Sequence, residues 1–186
     1  MRTELVSKGR MIVTEAKAKL VGEMFSDLIN IGNEIDKEDD LIQDLRKQFG
    51  VDGEGMSVVF EITLRQPTHK KPNPKVIYRG CFTMIDGYPK KIPEPLNPHV
   101  RMRTDFMCLR AILRGHRHYT GPNGRMKVKY GFKRAYGEER LFKEVRDDVH
   151  FLSDTVLVDK VIPLLEHRIF PIFRKRWKKR WVMQDS

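Results

Sequence analysis

A proline-rich stretch at residues 86–99 constrains the fold of this chain more than any other sequence feature. Its prolines are Pro89, Pro93, Pro95 and Pro98. Because proline has no backbone N–H and clashes with a preceding helical turn, the stretch cannot be a helix or a central strand. The sequence therefore predicts an extended connector between two parts of a single α+β domain that spans residues 1–186.

The formal charge of the chain changes at this connector. Residues 1–100 contain 15 Lys and Arg against 15 Asp and Glu, whereas residues 101–186 contain 21 against 10. The whole net charge of +11 therefore arises in the second part. Such concentrated positive charge favours a polyanionic partner, which is nucleic acid, an anionic membrane surface or an acidic protein.

The charge-balanced part, residues 1–85, is predicted to contain two helices and two strands. Apolar residues recur at helical spacing in 14–31 and 37–49, and a glycine follows each run, so the two runs predict an N-terminal helical hairpin. Alternating apolar residues in 57–64 and 75–85 predict a β-hairpin, and hence a small antiparallel sheet.

The stretch that follows the connector, residues 100–150, is predicted to be a basic helix followed by a β-ribbon. A helix capped by Thr104 fits residues 105–114. The Gly-Pro-Asn-Gly turn at 121–124 separates two alternating runs, which is typical of a hairpin. A further helix of mixed charge is predicted at 138–150.

This stretch contains the first basic block, residues 101–134, in which Asp105 is the one acid against ten cations. Lysine and arginine contacts to phosphates release condensed counterions, so a duplex or a single strand is a natural ligand. Tyr119 can stack on a base. The cations are Arg101, Arg103, Arg110, Arg114, Arg117, Arg125, Lys127, Lys129, Lys133 and Arg134.

The C-terminal segment, 151–186, is predicted to be helical between 155 and 182 apart from breaks at its prolines. It contains the second basic block, residues 168–181. This block has no acidic residue. Its candidate phosphate ligands are Arg174, Lys175, Arg176, Lys178, Lys179 and Arg180. Four aromatic residues recur at helical spacing and predict one aromatic face; they are Phe170, Phe173, Trp177 and Trp181.

Three interpretations of this aromatic face are open. In the first, the aromatic face docks on the core of its own domain while the cations face phosphate. In the second, it packs against a protein partner or a second copy in a homo-oligomer. In the third, it lies on an anionic membrane surface. Docking combined with phosphate contact is favoured, because one polyanion then accounts for both basic blocks.

The residues as a whole favour a non-catalytic nucleic-acid-binding protein with weak sequence selectivity, since backbone contacts position without specifying. Two alternatives remain. One is a metal-dependent nuclease with Glu61, Asp86 and Asp105 as its acids, and the other is an assembly or host-interaction protein that uses the aromatic C-terminal helix. No catalytic signature motif occurs, and neither a cofactor nor a metal site is expected.

The cysteines and the N-terminus bear on the cellular setting. Cys81 and Cys108 lie in apolar stretches far apart in sequence, which is typical of buried reduced thiols. The N-terminus has no signal-peptide pattern. An intracellular, cytoplasmic location is expected, in the host cell if the protein is viral. The composition suits a viral or phage DNA-handling protein or a regulator.

Overall fold

The computed structural model describes residues 2–36, 55–66, 73–85, 87–114, 141–145 and 165–185, together with Asp40, Gln43 and Pro163. The described elements, in chain order, are α1 (Arg2–Asn33), β1 (Met56–Thr63), β2 (Val76–Ile85), β3 (Tyr88–Lys91), β4 (Val100–Asp105), α2 (Phe106–Arg114), β5 (Leu141–Val145), a π-helical turn (Leu165–Ile169) and α3 (Phe170–Asp185). Helices and one sheet share the chain, which confirms the α+β class.

The strands form one five-stranded sheet in the order β3-β2-β1-β4-β5. The β1–β2 hairpin is antiparallel, as the alternation predicted, and β1 is the central strand. The sheet is mixed, because β4 pairs with β1 in parallel. A parallel neighbour needs a return crossover, and here the chain passes through β3 and residues 92–99 before it enters β4.

The proline-rich connector contributes an edge strand. Among the described strands β3 pairs with β2 alone, and Pro89 lies within it. An edge position tolerates proline because the missing N–H would face away from the ladder. Residues 92–99 have no regular helix or strand, which agrees with the predicted extended connection.

Two elements after the connector differ from their predictions. β4 (Val100–Asp105) was not predicted as a strand, and α2 begins at Phe106 with Asp105 as its cap in place of Thr104. The Asp105 Oδ1 atom accepts hydrogen bonds from the backbone N–H groups of Met107 and Cys108, each at 3.0 Å. This is the usual geometry of an N-cap carboxylate.

The helix predicted at 138–150 is wrong at residues 141–145, which form β5. This strand pairs antiparallel with β4, from Leu141 opposite Thr104 to Val145 opposite Val100. Without it, the N–H and C=O groups along that edge of β4 would lack a strand partner. Tertiary pairing therefore outweighs the weak local helical pattern.

The helices cover one face of the sheet. The ring of Phe25, on α1, lies 5.8 Å from that of Tyr78 and 5.9 Å from that of Phe82 on β2. Gly80 lies between those two residues, and a Cβ atom there would approach the Phe25 ring to 2.8 Å. The glycine therefore permits the close contact of α1 with the sheet. Buried residues of all three helices join those of β1 and β4 in one core.

The terminal helices agree with their predictions in kind. α1 begins earlier than the predicted residue 14. α3 follows the π-helical turn directly and continues through Pro171, so the break predicted at this proline is wrong. No described helix has the length and mean hydropathy that crossing a membrane requires.

Three predicted segments lie largely or wholly outside the described residues. For the second N-terminal helix, 37–49, only Asp40 and Gln43 are described, and both are helical. The predicted β-ribbon around 121–124 and most of the segment 151–164 lie outside the described ranges.

Candidate anion-binding surfaces

The face of the sheet that points away from the helices carries a buried acid among three arginines. Along β1, Val58, Phe60 and Ile62 share the helical side, so Glu61 points to the opposite side. The pairing register places Arg79 of β2 opposite Glu61 on one flank. On the other flank it places Arg103 of β4, and Arg101 lies two residues earlier on the same face. We call this set, Glu61 with Arg79, Arg101 and Arg103, the arginine cluster.

The Glu61 carboxylate contacts all three guanidinium groups. Its side chain is 1% exposed, while those of Arg79, Arg101 and Arg103 are 41%, 28% and 38% exposed. Oε1 lies 2.9 Å from both Nε and Nη2 of Arg79 and 2.8 Å from Nη1 of Arg101. Oε2 lies 2.9 Å from Nε and 2.7 Å from Nη2 of Arg103. Both carboxylate oxygens are therefore saturated with charged donors.

The pKa of Glu61 reflects two opposed effects. Burial would raise it, but the hydrogen bonds and positive charges of Arg103, Arg79 and Arg101 outweigh burial and hold the pKa below the ordinary glutamate value of 4.5. Burial alone would lower the pKa of Arg79, and its contacts with Glu61 and Glu94 raise it. The cluster is thus a stable set of ionised groups.

Two further acids lie near the rim of the cluster. Glu94, from the connector, accepts a hydrogen bond of 3.2 Å from Nη1 of Arg79 and is itself exposed. Glu144, on β5, is exposed and lies opposite Arg101 in the register. Neither acid forms an ion pair with Arg101 or Arg103 within the described structure, so Glu61 is their shared counter-ion.

A serine–histidine contact fixes the connector at the other end of β1. The Ser57 hydroxyl lies 2.8 Å from Nδ1 of His99, the Ser57 N–H donates to that nitrogen at 3.1 Å, and the His99 N–H donates to the Ser57 hydroxyl at 3.2 Å. These contacts attach His99, the residue that precedes β4, to the first part of β1, and so help to set the position of Arg101.

The second basic block lies on α3, on the helical side of the sheet. Phe173 and Trp177 are 0% and 1% exposed, and their rings stack at 5.0 Å. Trp177 Nε1 donates to Asp27 on α1 at 2.5 Å. Arg174 Nε donates to the carbonyl of Leu113 on α2 at 2.9 Å, and burial lowers the pKa of Arg174. The aromatic side of α3 therefore docks within its own chain.

The remaining cations of α3 fall into two groups. Arg176 pairs with Glu34, and Arg180 pairs with Glu23 at 2.9 Å, so these two arginines join α3 to acidic groups of α1 and of the residue after it. Lys175, Lys178 and Lys179 are exposed, and none has an ion pair with a described residue. We call these three residues the lysine stripe.

The two basic blocks, as far as they are described, do not form one patch. Arg101 and Arg103 belong to the arginine cluster on one side of the sheet, and the lysine stripe lies with the helices on the other. Arg110 and Arg114 are half-buried on α2. The other predicted ligands lie outside the described residues, namely Arg117, Tyr119, Arg125, Lys127, Lys129, Lys133 and Arg134.

The residues that the two alternative functions would use either make structural contacts or are not described. Glu61 is held by arginines and Asp105 caps α2, while Asp86 is outside the described ranges. Among residues whose side chains are described, no three His, Cys, Asp or Glu lie close enough to hold a metal ion. Phe170, like Phe173 and Trp177, is buried; the side chain of Trp181 is not described.

The contacts of Glu61 with the arginines, and of Arg79 in particular, were not predicted from the sequence. The available signal was one acid at alternating spacing in an otherwise apolar strand, since a buried carboxylate requires cationic partners. The alternating pattern of Arg101 and Arg103 around Met102 was a second signal, because it places both cations on one side of a strand.

Comparisons with known proteins give little further information. The sequence matches no known protein family, and no curated protein matches it. Among solved structures, a conserved hypothetical protein of Thermus thermophilus, described as possibly a sterol carrier protein, is 14% identical with a TM-score of 0.35. The likeness covers 72% of this chain and 76% of that one. At this TM-score the likeness carries no inference about the function of this chain.

Proposed function

We propose that this protein binds the phosphate backbone of nucleic acid without catalysing a reaction, and that the described part of its contact surface is the lysine stripe of α3. The observation that carries the proposal is the exposure of Lys175, Lys178 and Lys179 on a helix that contributes no acid between residues 170 and 181. These charges are available to an external anion.

The geometry of α3 favours contact along a strand of phosphates. Residues three and four apart lie on the same side of a helix, so Lys175, Lys178 and Lys179 project together. Their Cα atoms span about 6 Å along the helix axis. The ligand is therefore an extended polyanion, since a row of side chains on the outside of a helix does not enclose a small molecule.

The anchoring of α3 makes this surface rigid before the ligand arrives. Phe173 and Trp177 are fixed in the core, and the Trp177 Nε1 group donates a hydrogen bond to Asp27 on α1. Ordering the backbone on binding then costs little. Lysines that contact only phosphates discriminate poorly between base sequences, which supports general over sequence-specific binding.

The test is a fluorescence-anisotropy titration of single- and double-stranded DNA and RNA at two salt concentrations. We expect the doubly substituted variant Lys175→Gln/Lys179→Gln to bind more weakly. The slope of log K against log salt, which is negative, should become smaller in magnitude by about 1.4–1.8, at about 0.7–0.9 for each lost phosphate contact.

The matched control is Arg176→Gln/Arg180→Gln, which removes the same formal charge from the same helix. Because these arginines already pair with Glu34 and Glu23, we expect a smaller change in affinity and in salt slope. Binding that is insensitive to salt, or equal losses in the two variants, would contradict the assignment to the lysine stripe.

A further inference from the structure

We propose that the arginine cluster is a separate binding site for one phosphoryl group of a small phosphorylated ligand, held by Arg101 and Arg103 on the face of the sheet opposite the helices. This site is independent of the lysine stripe, because the sheet lies between them. The proposal therefore stands or fails separately from nucleic-acid binding.

Glu61 leaves several guanidinium donors of Arg101 and Arg103 unused. Arg101 contacts Glu61 through Nη1 alone, and Arg103 contacts it through Nε and Nη2. Nε and Nη2 of Arg101 and Nη1 of Arg103 therefore make no hydrogen bond to any described residue. A planar guanidinium fork with a free edge matches the oxygen spacing of phosphate.

The charges of the arginine cluster also favour an anionic ligand. Two guanidinium groups of β4 are drawn to the same carboxylate, and Arg79 approaches that carboxylate from the other flank. Glu61 offsets one of the three positive charges, the rim acid Glu94 pairs with Arg79, and the exposed Glu144 lies opposite Arg101 in the register without forming an ion pair with it in the described structure. A dianion beside Arg101 and Arg103 would relieve the remaining repulsion.

Glu61 also preorganises the two arginines of β4. The Glu61 side chain is buried and saturated, so it fixes the orientation of the arginines without competing for their outer edges. The side chains of Arg101 and Arg103 are 28% and 38% exposed, so an anion in solvent can reach part of each side chain. Two such partly recessed side chains suit a single phosphoryl group better than a run of phosphates.

The decisive variant is Arg101→Lys. A lysine ammonium keeps the charge that faces Glu61 but lacks the planar fork, so a site that uses the fork loses affinity while the ion pair remains. By isothermal titration calorimetry with inorganic phosphate at constant sodium chloride, we expect binding by the unsubstituted protein and a loss of about tenfold in Arg101→Lys. Lys175→Gln is the control and should retain the full affinity.

A second measurement does not depend on the folding of a variant. In the unsubstituted protein labelled with ¹⁵N-arginine, the Nε–H resonance of Arg101 should shift on addition of inorganic phosphate. It should not shift with an equal concentration of a short oligonucleotide that lacks terminal phosphates. A shift with the oligonucleotide instead would assign the cluster to nucleic acid. Absence of any phosphate effect, or equal phosphate affinity in Arg101→Lys, would overturn the proposal.

Discussion

The arginine cluster and the lysine stripe differ in how their positive charges are balanced within the fold. In the cluster, three arginines of neighbouring strands meet a carboxylate that is 1% exposed, and the register of the sheet decides which residues meet. On α3, the lysines project from a helix whose other side is in the core, and they form no ion pair with a described acid. Position in the fold therefore separates cations that share a buried carboxylate from cations that face solvent without a counter-ion among the described residues.

The largest effect on stability is expected at the anchor of the lysine stripe. Trp177→Ala removes a side chain that is 1% exposed and hydrogen-bonded to Asp27, so the free energy of unfolding should fall by about 3–5 kcal/mol. Urea denaturation followed by circular dichroism measures this change. Lys178→Ala, one residue further on, should change it by less than about 0.5 kcal/mol. A small loss in Trp177→Ala would mean that α3 is not part of the core.

A smaller decrease in the free energy of unfolding is expected when the carboxylate of the arginine cluster is removed. Glu61→Gln leaves three guanidinium groups around an uncharged amide, and removal of one partner from a buried ion pair costs about 3–5 kcal/mol. The arginines are partly exposed, and solvent screening reduces the loss to about 2–4 kcal/mol. The control is Glu94→Gln at the rim, for which about 0–1 kcal/mol is expected by the same urea measurement. Equal effects of the two substitutions would remove the distinction between buried and rim acids.

The smallest of the three effects concerns acid stability. Because the pKa of Glu61 is lower in the folded protein than the ordinary value of 4.5, its ionisation stabilises the fold fully above that value. This contribution disappears as the pH falls from about 4.5 through the lower folded-state pKa. Chemical denaturation at a series of pH values should show a steeper loss in this range for the unsubstituted protein than for Glu61→Gln. Identical slopes would show that Glu61 does not titrate with folding.

Local sequence patterns were enough to predict the α+β class and several elements. The strands predicted at 57–64 and 75–85 correspond to β1 and β2, and the helix predicted at 105–114 corresponds to α2, each to within one residue at either end. The aromatic spacing of α3 also indicated its docked side, because a helical period of apolar residues defines the side that is buried.

The candidate sites required information that no local pattern contains. Arg101 and Arg103 were predicted as phosphate ligands from charge density, whereas their contact with Glu61 depends on the parallel pairing of β4 with β1. Strand neighbours and register are tertiary properties, so the sequence near Arg101 does not specify them. The same limit explains why β5 was interpreted as a helix.

The docking of α3 on α1 also has a consequence for how the chain acquires its structure. Asp27 and Trp177 are 150 residues apart in sequence, and the buried side of α3 completes the apolar layer that α1 begins. Until Phe173 and Trp177 have been synthesised, part of the apolar surface of α1 has no partner and is available for misassociation. Closure of this core therefore depends on contacts between residues far apart in the chain, and such contacts slow folding because a long loop must be ordered first.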